Sequence, residues 1–117
     1  MHLSGLSFDE KILKKICKKK KIFIVEDAAH SFGAKYSDGS LVGNCRYSDI
    51  TVFSFHPVKT ITTGEGGMIT TNSNKIYKKL IELRNHGIVR SNSHFQYDVK
   101  DLSFNYPNSK KLFKNLH

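Results

Sequence analysis

The sequence predicts a layered α/β fold, and three patterns carry that prediction. Residues 11–21 set Ile12, Leu13, Ile16 and Cys17 at helical spacing among lysines, the mark of an amphipathic helix. Ile22-Phe23-Ile24-Val25 follows as a short, continuously apolar, largely β-branched run, which predicts a strand buried on both faces. Two more short strand patterns and a second helix complete an order of helix, strand, loop, strand, strand, helix, which suits an α/β layer arrangement. A length of 117 residues is that of one modest domain with a single core.

Each element has its own local cause. Ser7 can cap the first helix, and Glu10 three residues later completes a capping box, so the helix is predicted to run to Lys20. The apolar run ends in Glu26-Asp27, two carboxylates at the carboxyl end of a strand, where open α/β sheets bind ligands. Residues 28–34 are small, and Ser37-Asp38-Gly39-Ser40 reads as a turn. Ile50-Thr51-Val52-Phe53-Ser54-Phe55 is the second strand, and Pro57 stops its ladder. Thr62-Thr63-Gly64-Glu65-Gly66-Gly67 is a glycine-rich loop leading into a third strand, Met68-Ile69-Thr70-Thr71. Asn74 is the expected cap of a helix over 75–84, with Ile76, Leu80 and Leu83 on one face and Gly87 as its stop signal. Beyond Val89 the patterns thin, and residues 91–114 receive no assignment.

Composition narrows the function classes. With 38% hydrophobic and 25% charged residues the chain reads as globular rather than disordered. No apolar run approaches the roughly 18 residues of a membrane span. Met1-His2-Leu3-Ser4-Gly5-Leu6 lacks a signal-peptide layout, so the expected location is the cytoplasm, with no membrane partner. Cys17 and Cys45 are too few for a disulfide framework and read as packing thiols, and the six histidines show no metal-ligand spacing. The net charge of +9 comes largely from the lysines of residues 11–21. Without interleaved aromatics to stack on bases, these form a solvated helix face, and no nucleic-acid partner is expected.

Two residues stand out chemically. Asp27 and Lys59 each lie just past a predicted strand. A lysine near an apolar sheet end loses hydration, which lowers its pKa and frees the amine as a nucleophile for carbonyls. A neighbouring carboxylate could pair with it or hold a protonated ring nitrogen. Ser54, Thr60, Thr62, Thr63 and the amides around Gly64, Gly66 and Gly67 could donate to a phosphate. The glycine-rich loop has neither the spacing nor the following helix of a nucleotide loop. Composition and spacing stop at an α/β domain with a candidate anion site.

The order of these pieces resembles the DegT/DnrJ/EryC1/StrS family of sugar aminotransferases, of pyridoxal-phosphate (PLP) fold type I. The matching text is Val25-Glu26-Asp27-Ala28-Ala29-His30-Ser31-Phe32-Gly33-Ala34, then residues 53–67 around His56-Pro57-Val58-Lys59-Thr60, then Leu83-Arg84-Asn85-His86-Gly87. The histidine of the first block and Ile61-Thr62-Thr63 look closest to the UDP-4-amino-4,6-dideoxy-N-acetyl-altrosamine transaminase branch, which acts on UDP-linked keto-sugars. The resemblance implies part of a fold type I large domain, a mostly parallel sheet with flanking helices. It covers residues 1–106 as the central part of that PLP-binding domain and leaves 107–117 as a divergent tail.

By that resemblance Lys59 would be the catalytic residue, holding PLP covalently through its amine, and Asp27 would bond the pyridinium nitrogen. His30 matches a position beside the ring and its phenolic oxygen, Ser54 a phosphate contact, and Asn105 a residue reaching a neighbouring subunit's cofactor. The implied partners are a keto-sugar nucleotide, glutamate as amino donor, and a homodimer mate or complementing chain. Where family members continue with Arg and a helix, this sequence has Pro107-Asn108-Ser109, and residues 110–117 depart from the pattern. Both ends look cut, so the expectation is a fragment lacking an upstream phosphate site and a C-terminal domain. Alone it is expected to be unstable and to have negligible transaminase activity. The alternative is a catalytically inactive chain, or an interaction module that pairs with a full-length homologue.

Overall fold

A computed structural model of the chain describes residues 1–6, 9–85, 88–90 and 97–99. The expected cap Ser7, the stop signal Gly87, the tail 107–117 and Asn105 lie outside the described residues. No helix among the described residues is long and apolar enough to cross a membrane.

Helix α1 spans Glu10–Lys20 and is capped by Asp9, whose side chain accepts from the Ile12 amide at 3.1 Å. The cap is therefore two residues later than expected, at the carboxylate that meets the third helical amide. Lys18, Lys19 and Lys20 fill the last turn, where the helix dipole favours cations. Lysines 11, 15, 18, 19 and 20 are exposed, as the solvated-face reading required. Cys17 is the buried member of the apolar stripe, whereas Ile12 and Ile16 stay exposed.

Strand β1 (Val25–Asp27) pairs in parallel with β2 (Ile50–Ser54), which pairs antiparallel with β3 (Gly67–Thr70). The sheet is thus mixed, in the order β1-β2-β3, with a helix on one face. Helix α2 (Asn74–Arg84) is capped by Ser73, not Asn74, through a bond from the Ile76 amide. Backbone pairing also joins β4 (Ile88–Arg90) to β5 (Tyr97–Val99) antiparallel, in a stretch where the sequence offered no clear pattern.

The run 22–25 departs from expectation. Only Val25 of its four residues enters a strand, and Ile22, Phe23 and Val25 are 52%, 52% and 56% exposed. Asp49 explains the late start: its carboxylate accepts from the Ile24 amide at 2.8 Å, and its own amide donates to the Ile24 carbonyl at 3.0 Å. A side chain thus takes the amide that a ladder would use.

Strand alternation sends side chains to opposite faces, and β2 supplies both small cores. On one face Ile50 and Val52 pack with Ile69 of β3 and with Ile76, Leu80 and Ile81 of α2. On the other, Phe53 and Phe55 meet Ala28, Tyr36, Val42 and Tyr47 from the segment that crosses between the parallel strands. That crossover, residues 28–49, contains no helix and folds back through a Lys35–Leu41 bridge. Each buried phenylalanine contributes about 1.5–3 kcal/mol.

One crossover glycine is fixed by this packing. Gly43 has φ +95°, and a Cβ there would sit 2.6 Å from the Phe53 ring. Gly43→Ala is expected to cost about 3 kcal/mol, combining backbone strain with overpacking. The check is a lowered urea midpoint that Phe53→Leu, by making room, partly restores in the double variant.

Candidate active site

The carboxyl ends of β1 and β2 carry the site. The Ala28 amide extends the parallel pairing one step, donating to the Val52 carbonyl at 2.8 Å. The chain then turns: Asp27 Oδ1 accepts from the Ala29 amide at 3.1 Å, and the Ser31 amide donates to the Ala28 carbonyl at 3.0 Å. Small residues permit this tight turn, which leaves Asp27 and His30 exposed. Residue 2 braces it, its amide donating to the Asp27 carbonyl at 2.9 Å and its carbonyl accepting from Ser31 Oγ at 2.8 Å.

Lys59 sits in a loop closed by its own hydrogen bonds. At the base, the Phe55 amide donates to the Gly66 carbonyl at 2.8 Å, and the Phe55 carbonyl accepts from the Thr63 amide and the Thr62 hydroxyl, both at 3.1 Å. Nearer the lysine, the Lys59 amide donates to the His56 carbonyl at 2.9 Å and the Val58 amide to His56 Nδ1 at 3.3 Å. These bonds shape the loop that carries the half-buried Lys59 side chain. Its Nζ lies 2.9 Å from Nε2 of His30.

The structure thus brings Lys59 and His30 into contact, with Asp27 three residues before His30. Lys59 pairs with a ring nitrogen and not with the Asp27 carboxylate. Ser54 ends β2, half-buried, its hydroxyl accepting from the His56 amide at 3.4 Å. Three of the candidate phosphate donors are committed within the loop: Thr62 Oγ1 donates to the Phe55 carbonyl, Thr63 Oγ1 to that of Glu65, and the Gly64 amide to Thr62 Oγ1.

Glu26 plays a different part from the one its position suggested. Adjacent strand residues face opposite ways, so Glu26 points into the protein as Asp27 points out. It is 1% exposed. The Tyr36 hydroxyl bonds it at 2.8 Å, Ser48 Oγ at 2.6 Å and Thr51 Oγ1 at 2.8 Å, and His2 Nε2 lies 3.2 Å away. Burial alone would raise its pKa, but bonds from Ser48, Tyr36, Thr51 and His2 outweigh burial and hold it below the ordinary glutamate value. Burial and the same carboxylate push the Tyr36 hydroxyl far up. Period-two alternation was the signal that could have separated the two carboxylates. A similar buried acid, Glu10, accepts from the Ser37 amide and hydroxyl at 3.1 and 2.6 Å, tying α1 to the crossover.

Proteins of known family resemble this chain over most of its length. The sequence profile of the DegT/DnrJ/EryC1/StrS aminotransferase family matches residues 1–108. A GDP-perosamine synthase of Escherichia coli is 38% identical over 106 residues, spanning 91% of this chain and 28% of that protein. A UDP-4-amino-4,6-dideoxy-N-acetyl-β-L-altrosamine transaminase of Campylobacter jejuni is 38% identical over 102 residues, spanning 87% and 26%. The structure of Helicobacter pylori PseC, an aminotransferase involved in pseudoaminic acid biosynthesis, superposes with a TM-score of 0.80 at 33% identity, covering 89% of this chain and 27% of its own. The PLP form of a sugar aminotransferase from Streptococcus pneumoniae superposes with a TM-score of 0.73 at 31% identity, covering 88% of this chain and 30% of its own. The chain therefore spans about a quarter to a third of the length of these relatives.

Proposed function

Because the chain belongs to the DegT/DnrJ/EryC1/StrS aminotransferase family, we propose that it forms the lysine-bearing part of a PLP-dependent enzyme that aminates a keto-sugar nucleotide. Glutamate is the amino donor in this reading, the setting is cytoplasmic biosynthesis of surface amino sugars, and residues 1–106 are the central part of the PLP-binding domain. The observation that carries it is the Lys59 amine, held at the carboxyl end of the sheet beside His30 and the Asp27 turn.

The donor set fits PLP: a primary amine for an aldehyde, an exposed carboxylate for a pyridinium nitrogen, and a strand-end serine hydroxyl for a phosphate. Lys59 would hold the cofactor through Nζ, Asp27 would keep its ring nitrogen protonated, Ser54 would contact its phosphate, and His30 would lie beside the ring. Asn105 is assigned to a neighbouring subunit's cofactor in a family-type dimer. When bound, PLP supplies an electron-withdrawing ring that stabilises negative charge on the substrate carbon bearing nitrogen. Lys59, once free, takes and returns the proton at that carbon.

The test is to incubate the purified chain with PLP, reduce with borohydride and map the labelled peptide by mass spectrometry. A single adduct at Lys59 is expected. Labelling scattered over the lysines of α1 would sink the reading. A second reading, a module that pairs with a complementing chain, is favoured by the half-exposed Ile22 and Phe23 before strand β1 and Val25 in it, at one edge of the three-stranded sheet. Co-purification with a full-length homologue would support it.

A further inference from the structure

We infer that His30 is the proton acceptor for the Lys59 amine, so that the two side chains hand one proton between Nζ and Nε2. The inference rests on the proposed role of Lys59 and adds a role for its neighbour. The two nitrogens lie 2.9 Å apart, a hydrogen-bond distance, so one donates and the other accepts. A lysine ammonium can only donate, and an imidazolium can only donate. The contact therefore excludes the state in which both are protonated.

With Lys59 charged, Nε2 of His30 carries the lone pair, which places the ring proton on Nδ1. Proton transfer then breaks one N–H bond at Nζ and makes one at Nε2. The amine is left neutral, with its lone pair available to a carbonyl carbon, and the positive charge moves to the imidazole. No other reactant is needed.

Each of the two segments also carries other titratable groups. On the His30 segment the remaining titratable group is Asp27, whose Oδ1 is engaged by the Ala29 amide. On the Lys59 loop they are His56, whose Nδ1 accepts from the Val58 amide, and Glu65, which is exposed. His56 has its accepting nitrogen occupied. His30 is the imidazole whose nitrogen reaches Nζ.

Two measurements on the full chain test the inference without cofactor. In ¹⁵N-histidine NMR spectra above the ordinary histidine pKa, His30 is expected as the Nδ1–H tautomer, with its signals shifted in Lys59→Met. An Nε2–H tautomer would overturn the proposal. In competitive labelling with trinitrobenzenesulfonate at pH 7.5, the ratio of Lys59 to Lys35 modification is expected to fall about tenfold in His30→Gln. Glutamine keeps an accepting oxygen but cannot take the proton, so an unchanged ratio would reduce His30 to a positioning residue. Should His30→Gln fail to fold, the wild-type tautomer decides alone. Outcomes also separate the two claims: PLP trapped at Lys59 with an unchanged labelling ratio sinks only the proton acceptor. The expected tautomer and ratio without trapping sink only the cofactor reading.

Discussion

Glu26→Ala is expected to cost about 3–5 kcal/mol, a large share of the roughly 5–15 kcal/mol that holds an ordinary domain folded. The substitution removes an acceptor that three hydroxyl groups and His2 share inside the protein. Each donor left buried and unsatisfied costs about 1–3 kcal/mol, and these donors come from the crossover, from β2 and from residue 2. Loss of the hub therefore releases three parts of the structure together. Glu26→Gln should be milder, because an amide oxygen still accepts and the hydroxyls can rotate.

The pair of variants also predicts a pH dependence. Glu26 in the folded chain titrates below the ordinary value of 4.5. A carboxylate with a depressed folded pKa stabilises the fold fully above its unfolded pKa, and that contribution is lost as pH falls through the folded one. Wild-type stability should thus decline as pH drops below about 4.5, and Glu26→Gln should flatten that decline. Urea midpoints measured across this range check both statements. A parallel decline in the two proteins would show that Glu26 does not carry the acid lability.

The second large effect is at the proposed cofactor site. Lys59→Ala is expected to abolish the borohydride-trapped PLP adduct altogether, because no other described amine is bonded to His30. Lys59→Arg should fail equally, since a guanidinium keeps its charge and has no nucleophilic lone pair at neutral pH. Asp27→Asn should retain trapping at Lys59 but weaken cofactor retention about tenfold to a hundredfold, the worth of one hydrogen bond to a charged group. Mass mapping and equilibrium dialysis read the two results. Equal trapping in Lys59→Ala and wild type would remove Lys59 from the site.

Much of this arrangement was legible in the chain. Apolar periodicity located α1, β2, β3 and α2 to within a residue or two, although the stripe of α1 buries only Cys17. Both helix caps were misplaced for one reason: Ser7 and Asp9, like Ser73 and Asn74, are neighbouring residues of equal capping chemistry. Only the three-dimensional path decides whose oxygen meets the third amide. The strand at 22–25 was overextended because an apolar run records what a segment prefers, whereas Asp49 sets where the ladder starts. Lys59 and Asp27 were singled out by position after strands. The contact between Lys59 and His30 was not, since it depends on two turns approaching one another from 29 residues apart. Strands β4 and β5 have three residues each, too few for a period to register.

The parallel pairing of β1 with β2 has a kinetic consequence. Joining Val25 to Ile50 closes a chain loop before any ladder bond forms, and the crossover inside that loop has no helix to shorten the search. Closure of this kind is slow compared with forming α1 or α2, whose contacts are local. Asp27 and His30 hang from one partner of the pairing and Lys59 from the other. The site should therefore appear in a single late phase of refolding, in step with the sheet and after helical signal has developed.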